Sequence, residues 1–352
     1  MPTSTKNNRK IEYNKRRSKY AYVTMVINGD KYVNGAIGLA KSILISQTKY
    51  DLVCMIDDTV SKDSVMRLHE VYNYVVLVDR IYKETSWGGR TASERYSSWW
   101  KFSFTKWRCL TMIQYNKILF LDADVLLIKN MDEIFEMNTP AGVFNPALFR
   151  KNLVNNKHTK IELDFGIFKH GEIIDIKKRL THPKCINVMT GGCVLLSPSC
   201  TRFCKLLDIL CSVEEYKFDV NNSSGTDEIS IAQTFSDVPW YNIDNIYHYR
   251  AGSSESPERE NKRNKIKAIH YLNEKPWEIA ENNKRRSIYF DVKLWWDIYN
   301  IHITIKNRNR ISNEEYHKIQ TKIQTDFGTV YDKSFQRNWN NKIGNKKSNY
   351  TN

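Results

Sequence analysis

The run Lys117-Ile118-Leu119-Phe120-Leu121-Asp122-Ala123-Asp124-Val125-Leu126-Leu127-Ile128 constrains the fold of this chain more than any other stretch. It is an almost unbroken apolar segment of the kind that forms a strand buried on both faces. Two carboxylates inside such a run are costly unless something compensates them. Side chains at i and i+2 leave a strand on the same face, so one continuous strand would aim Asp122 and Asp124 at one point. A hard divalent cation is the natural occupant. Mg²⁺ or Mn²⁺ takes oxygen ligands and shares one or two carboxylates with the phosphates of a substrate. The other reading is that strand-end aspartates cap the next turn or make a salt bridge. Asp-x-Asp is too short to choose between them, so the rest of the chain must decide.

The preceding segments alternate in period. Tyr20 to Ile27 reads as a strand ending at the turn Asn28-Gly29-Asp30, and Gly35 to Ile45 has helical apolar spacing. Leu52 to Ile56 is a second strand, Ser61 to Tyr72 a helix, and Val75 to Val78 a third strand. This βαβαβ order predicts an α/β domain with a mostly parallel central sheet and helices on both faces. Ligands of such sheets bind beyond the carboxyl ends of the strands, where Asn28 lies. An aromatic-rich helix, Trp99 to Tyr115, is expected to feed the Asp122/Asp124 strand, with a short helix at Met131 to Phe135. Residues 150–185 are poorly patterned and read as an insertion or long loops. Beyond them come a strand at Cys193 to Leu196, a helix at Ser199 to Cys211, and a helix to Phe235 with Thr226 as N-cap. Ala268 to Leu272 reads as a short strand, Asn273 to Trp277 as a loop, and Val292 to Ile298 as a helix. Ser312-Asn313-Glu314-Glu315 has the capping-box pattern ahead of a last amphipathic helix. The expected division is a basic extension over 1–19, a catalytic domain over 20–300, and a C-terminal helix and polar basic tail over 301–352.

Charge bears on the partners. The 352 residues carry a formal net charge of +15, which suits a polyanion, an acidic surface or a phosphorylated ligand. Much of that excess lies at the ends, in Lys6, Arg9, Lys10, Lys15, Arg16, Arg17 and Lys19 and in Lys342, Lys346 and Lys347, and reads as solvated extension. No recognised nucleic-acid module accompanies it, so nucleic acid is not the expected partner. The seven cysteines include no Cys-x-x-Cys pair, and Cys200, Cys204 and Cys211 fall at the spacing of one apolar helix face. A reducing compartment is expected. The basic N-terminus has no apolar core and no stretch is long enough to span a bilayer, so the expected location is cytoplasmic.

Several segments together resemble glycosyltransferase family 8, the glycogenin-like family. Tyr22-Val23-Thr24-Met25-Val26-Ile27-Asn28, followed by Tyr32 and Gly35-Ala36, looks like its first strand and uracil-binding turn. Phe104-Thr105-Lys106-Trp107 through Phe135 looks like its Thr-Lys-Leu helix, Asp-x-Asp strand and following helix. Thr190-Gly191-Gly192 to Ser199 resembles its Asn-Ser-Gly strand, Asp227-Glu228 its Asp-Gln, and His270 to Trp277 its His-x-Leu-Gly…Lys-Pro-Trp motif. The resemblance spans roughly residues 20–280, with order and spacing kept across all five segments.

The resemblance implies a GT-A fold, dependence on Mn²⁺ (Mg²⁺ being the other candidate), a UDP-sugar donor and retention of anomeric configuration. It implies Asp122, Asp124 and His270 as metal ligands, with Ala123 between the carboxylates lining the donor site. Lys275 would contact the diphosphate, Asn28 and Tyr32 would lie near the uridine, and Thr190 and Gly191 near the donor sugar. Lys106 would hold an acidic neighbour and the sugar, and Asp227 would face the anomeric carbon. Arg95 is the nearest match to a donor-binding arginine, at an altered spacing. Three departures stand out: Thr190-Gly191 replaces Asn-Ser, Glu228 replaces glutamine, and Asn273 replaces a phosphate-loop glycine. The implied activity is transfer of a hexose, glucose by default, to a hydroxyl acceptor, the chain's own tyrosine being one candidate. The alternatives are a UDP-galactose or UDP-glucuronate transferase on a glycan, lipid or polyol, and, in another class, a non-catalytic nucleic-acid-binding or scaffold protein. A homodimer is compatible with the family.

Overall fold

A computed structural model of the chain describes residues 18–87, 99–144, 148–151, 158–161, 168–181, 188–213, 216–218, 226–250, 265–272, 275–279, 292–308 and 311–323. The strands are β1 (Tyr20–Val26), β2 (Asp51–Ile56), β3 (Tyr74–Leu77), β4 (Thr85–Trp87), β5 (Lys117–Leu121), β6 (Val125–Leu127), β7 (Ala141–Val143) and β8 (Leu148–Lys151). They continue with β9 (His158–Ile161), β10 (Ile173–Ile174), β11 (Thr190–Leu196), β12 (Tyr216–Phe218), β13 (Trp240–Asn242), β14 (Tyr249–Arg250) and β15 (Ala268–His270). The helices are α1 (Val33–Ile45), α2 (Lys62–Val71), α3 (Ile176–Thr181), α4 (Cys200–Cys211), α5 (Thr226–Thr234), α6 (Val292–Tyr299) and α7 (313–323).

Eight strands form the main sheet in the order β10-β13-β7-β11-β5-β1-β2-β3. β1 runs parallel to β2 and β5, and β2 parallel to β3, as the βαβ alternation predicts. β11 runs antiparallel to both β5 and β7. A small second sheet, β14-β15-β6, stands against it.

The sheet is buried on both faces. Tyr22 and Val26 of β1, with Leu119 and Leu121 of β5, enter one apolar cluster beneath α1, α2 and α6. Their neighbours Ala21, Val23, Met25, Ile118 and Phe120 enter the other, beneath α4, α5 and the segment Ser103–Thr111. Each large apolar side chain buried this way contributes about 1.5–3 kcal/mol, which is why the run contains almost nothing polar before Asp122. Ile303, Tyr316 and Ile323 join the first cluster.

Several expectations are corrected. The Lys117–Ile128 run is not one strand. β5 ends at Leu121, the chain turns with Val125 N–H donating to Asp122 O at 3.1 Å, and β6 then pairs antiparallel with β15 in the second sheet. Two short strands buried in different sheets have the same apolar pattern as one long strand. Ser103–Thr111 is a 3₁₀ helix in place of the long aromatic α-helix. β11 begins three residues earlier than expected, at Thr190, and Thr226 lies inside α5 instead of capping it. The apolar face of α4 is Phe203, Leu206 and Leu210, while Cys200, Cys204 and Cys211 are exposed and free. The capping box forms, with Glu315 N–H donating to Ser312 Oγ at 3.1 Å. Arg95, Asn273, Gly88-Gly89 and the basic runs of both termini lie outside the described residues, Lys19 excepted.

Candidate active site

The turn between β5 and β6 places Asp122 and Asp124 at the carboxyl edge of the main sheet. Backbone bonds fix it on both sides. Asp122 N–H donates to Gly192 O at 3.1 Å, and Tyr271 N–H donates to Asp124 O at 3.0 Å. β15 pairs His270 opposite Val125, which brings the imidazole beside Asp124. Ligand atoms of Asp122, Asp124 and His270 lie within 4.8 Å of one another. The carboxylates converge because the chain turns, not because they share a strand face.

Two buried lysines hold these carboxylates. Lys275 Nζ donates to Asp124 Oδ2 at 2.5 Å and to Tyr271 O at 2.6 Å. Lys106 Nζ lies 2.7 Å from Asp227 Oδ2 and 3.3 Å from Asp122 Oδ1. Lys106 and Lys275 are only 2% and 3% exposed, so neither is a surface cation. Burial pushes the Asp124 carboxyl up, but Lys275 and His270 outweigh it and hold the group well below the carboxylate range. At Asp122 burial prevails over the pull of Lys106, and with the push of Asp124 it raises the carboxyl. Burial pulls Lys106 down, yet Asp122 and Asp227 together hold it above an ordinary lysine.

This arrangement fits a divalent cation. The carboxylates of Asp122, Asp124 and Asp227 outnumber the two ammonium groups of Lys106 and Lys275 that pair with them, and Glu228 adds a further carboxylate near Lys106. His270 Nε2 stands 3.1 Å from Asp124 Oδ1, which has no hydrogen-bond partner. Two lone-pair atoms at that separation match neighbouring ligands of an ion bonded at about 2.0–2.2 Å.

Asp227 is fixed by its backbone, whose carbonyl accepts from Trp107 Nε1 at 3.0 Å and from Ser230 Oγ at 2.8 Å. Glu228 turns onto the strand opposite, where its Oε1 accepts Gly191 N–H at 2.6 Å. A Cβ at Gly191 would stand 2.9 Å from Glu228 Cγ, so this approach needs glycine. Thr190 and Gly191 thus lie at the start of β11 facing α5.

A second group lies at the end of β1. Asn28 has φ 59° and donates its N–H to Asp57 Oδ2 at 3.0 Å. Arg80 Nη1 donates to Asn28 Oδ1 at 3.3 Å, and Arg80 Nε lies 3.5 Å from Asp57 Oδ2. Tyr32 packs edge-on against Trp277, with ring centroids 5.7 Å apart, and Lys275 Nζ lies 5.8 Å from the centre of the Tyr32 ring. Gly35 makes this possible, since a Cβ there would meet the Trp277 ring at 2.5 Å and Ala123 O at 2.6 Å. Tyr32, Ala123 and Lys275 therefore adjoin the Asp122–Asp124 turn, and Asn28 lies at the end of β1 on the same edge of the sheet.

Sequence reasoning missed Asp57, Arg80, Gly192 and His248. Asp57 ends β2 at the same sheet edge as Asn28, a position that topology could have marked. His248 sits among aromatics with no spacing signal. Its buried ring is held well below the usual imidazole range by burial and by the adjacent His270.

Comparison with known proteins gives this geometry its context. The family model for glycosyl transferase family 8 matches residues 23–171, a stretch that contains the end of β1, Lys106 and the Asp122–Asp124 turn. Galactinol synthase 2 of Arabidopsis thaliana is 24% identical over 317 residues, covering 86% of this chain and 87% of that protein. UDP-glucuronate:xylan alpha-glucuronosyltransferase 2 of the same plant is 31% identical over 121 residues, 34% of this chain and 19% of that one. Among solved structures, the galactosyltransferase LgtC in complex with donor and acceptor sugar analogs superposes with a TM-score of 0.50 at 11% identity, covering 82% of this chain and 99% of that one. That likeness is one of fold. No helix among the described residues is long and apolar enough to cross a membrane. The family match lies across the carboxylate turn and the likeness of fold extends over most of the chain: over residues 23–171 the protein is similar to glycosyl transferase family 8, and it has the GT-A fold of UDP-sugar-dependent glycosyltransferases.

Proposed function

We propose that the protein transfers a neutral hexose, glucose by default, from its UDP-sugar to a hydroxyl acceptor with retention of configuration, and that Mn²⁺ is its metal. The observation that carries this reading is the buried chain Asp227–Lys106–Asp122, joined through the turn to Asp124, His270 and Lys275. Asp122, Asp124 and His270 would hold the ion, which when bound supplies positive charge to the departing diphosphate. Lys275, beside Asp124 and Tyr32, adds a second positive charge on the same side. Asn28, with Asp57 and Arg80, offers polar groups to the uridine.

Asp227 has an electrostatic role in this reading. Its Oδ2 is engaged by Lys106 at 2.7 Å, which lowers its nucleophilicity but leaves its charge able to stabilise an oxocarbenium-like state. The acceptor hydroxyl then gives its proton to the leaving phosphate oxygen on the same face. Asp122, Asp227 and Glu228 all act on Lys106, so the sugar pocket is rich in carboxylates and disfavours a uronate donor. Galactose is the second reading for the donor, favoured by similarity to a galactinol synthase over 86% of this chain.

The test is incubation with Mn²⁺ and a panel of UDP-sugars, following released UDP and intact mass together. Release with UDP-glucose or UDP-galactose and not UDP-glucuronate supports the reading. A hexose-sized mass increment identifies the chain itself as acceptor, and UDP release alone points to an external one. Failure of every donor, together with failure to bind Mn²⁺·UDP, leaves a binding or scaffold role.

A further inference from the structure

Four buried side-chain polar atoms among the described residues lack a hydrogen-bond partner, and three of them belong to residues that adjoin one another: Asp124 Oδ1, His270 Nδ1 and His248 Nε2. An orphaned buried polar atom costs about 1–3 kcal/mol, so Asp124 Oδ1 and His248 Nε2, on either side of the His270 ring, mark a spot shaped for a guest. His270 and Asp124 already belong to the metal-binding triad. His248 does not, although it is 7% exposed and its ring lies 4.3 Å from that of His270, tilted by 45°. The two imidazoles are side by side because β14 pairs parallel with β15, Tyr249 opposite Ile269, and His248 immediately precedes that pair.

Gly192 explains how the ring reaches the centre. A Cβ at this position would stand 2.7 Å from His248 Nε2 and 2.8 Å from Asp122 Oδ2. Any larger residue would wedge the imidazole away from the carboxylate. With glycine, nitrogen and oxygen border the same open space, and the ring is free to approach what Asp122 holds.

We propose that His248 is a fourth protein donor to the divalent cation, through Nε2, beside Asp122, Asp124 and His270. The inference rests on reading that triad as the metal site. It makes the centre two carboxylates and two imidazoles, a set that shifts preference away from Mg²⁺ and toward nitrogen-accepting ions such as Co²⁺.

The experiment uses the full chain with UDP. Electron spin-echo modulation of bound Mn²⁺ reads the number of directly coordinated imidazole nitrogens: two are expected in the unsubstituted chain and one in His248→Gln or His248→Phe. In calorimetric titrations the same variants should lose roughly tenfold or more in Co²⁺ affinity but less than about threefold in Mg²⁺ affinity. The glutamine variant keeps a polar group of similar reach, and the reading on the unsubstituted chain depends on no variant. A single coupled nitrogen in the unsubstituted chain overturns the proposal. So does an equal loss for both metals, which would make His248 a positioning residue only. If Mn²⁺ fails to bind the unsubstituted chain at all, the triad reading falls with it; if it binds through one imidazole, only the role of His248 falls.

Discussion

Lys106→Met tests the charge balance of the site most directly. The ammonium is buried and spans two carboxylates, Asp227 at 2.7 Å and Asp122 at 3.3 Å. Methionine keeps the aliphatic stem and removes the charge, leaving two carboxylates repelling each other in a nearly dry site. Breaking a buried ion pair from one side costs about 3–5 kcal/mol. In a domain of this size that lowers the unfolding temperature by roughly 6–20 °C. The pH dependence has a definite sign. Without Lys106, the Asp122 carboxyl loses the attraction that opposes its burial and is raised further in the direction it already shows. Such groups destabilise at high pH, and the penalty is relieved as pH falls through the raised value. The deficit relative to the parent should therefore be largest above the raised value and shrink as pH falls through it toward the ordinary carboxylate range. Lys106→Met/Asp227→Asn, which removes one of the opposed charges, should recover about 1–3 kcal/mol. Urea unfolding followed by tryptophan fluorescence in the presence of EDTA measures all of these. A deficit below about 1 kcal/mol, or one that does not change with pH, would refute the reasoning.

Asp124→Asn should abolish Mn²⁺-dependent UDP binding in calorimetry and lower turnover by about 10²–10³-fold, since it removes a metal donor and the partner of Lys275. The depressed Asp124 carboxyl contributes stability that is present above its unfolded pKa near 4 and is lost as pH falls through the folded value, so acid unfolding curves of the parent should steepen below about pH 4 and those of Asp124→Asn should be flatter there. Gly35→Ala drives a methyl into the Trp277 ring and the Ala123 carbonyl at 2.5 and 2.6 Å; it should cost about 1–3 kcal/mol and weaken UDP binding, both read in one thermal-shift series with and without UDP.

Much of the fold was legible because period and burial coincide in it. The alternation of β1, α1, β2 and α2 appears directly as apolar spacing, and the parallel part of the main sheet, β5-β1-β2-β3, follows from it. The motifs point to Asp122, Asp124, His270, Lys275, Lys106 and Asp227, and the structure brings their side chains into one cluster. What stayed hidden depends on contacts distant in sequence. The division of the Lys117–Ile128 run between two sheets is decided by β15, more than a hundred residues on, pairing with β6. The exposed cysteines of α4 were misassigned because helical spacing alone cannot tell which of two adjacent stripes faces the sheet; Phe203, Leu206 and Leu210 take that side. His248 carried no local signal, since its importance lies in the neighbour that β14–β15 pairing gives it.

The packing of α6 has a consequence for where the catalytic unit ends. Trp295 of α6 rests against Gly38 of α1 and lies 5.7 Å from Trp277, which in turn backs Tyr32 and hydrogen-bonds Lys31 O. The aromatic wall beside the carboxylate turn is thus braced by a helix that follows the last recognisable motif. The match to the family covers residues 23–171, yet His270, Lys275, Trp277 and Trp295 all come after it. A fragment cut at the edge of that match would keep the carboxylate turn and lose half of what surrounds it. One cut after Trp277 would retain every motif residue but strip the outer support from the aromatic wall. A piece that keeps this aromatic wall whole extends at least through Tyr299.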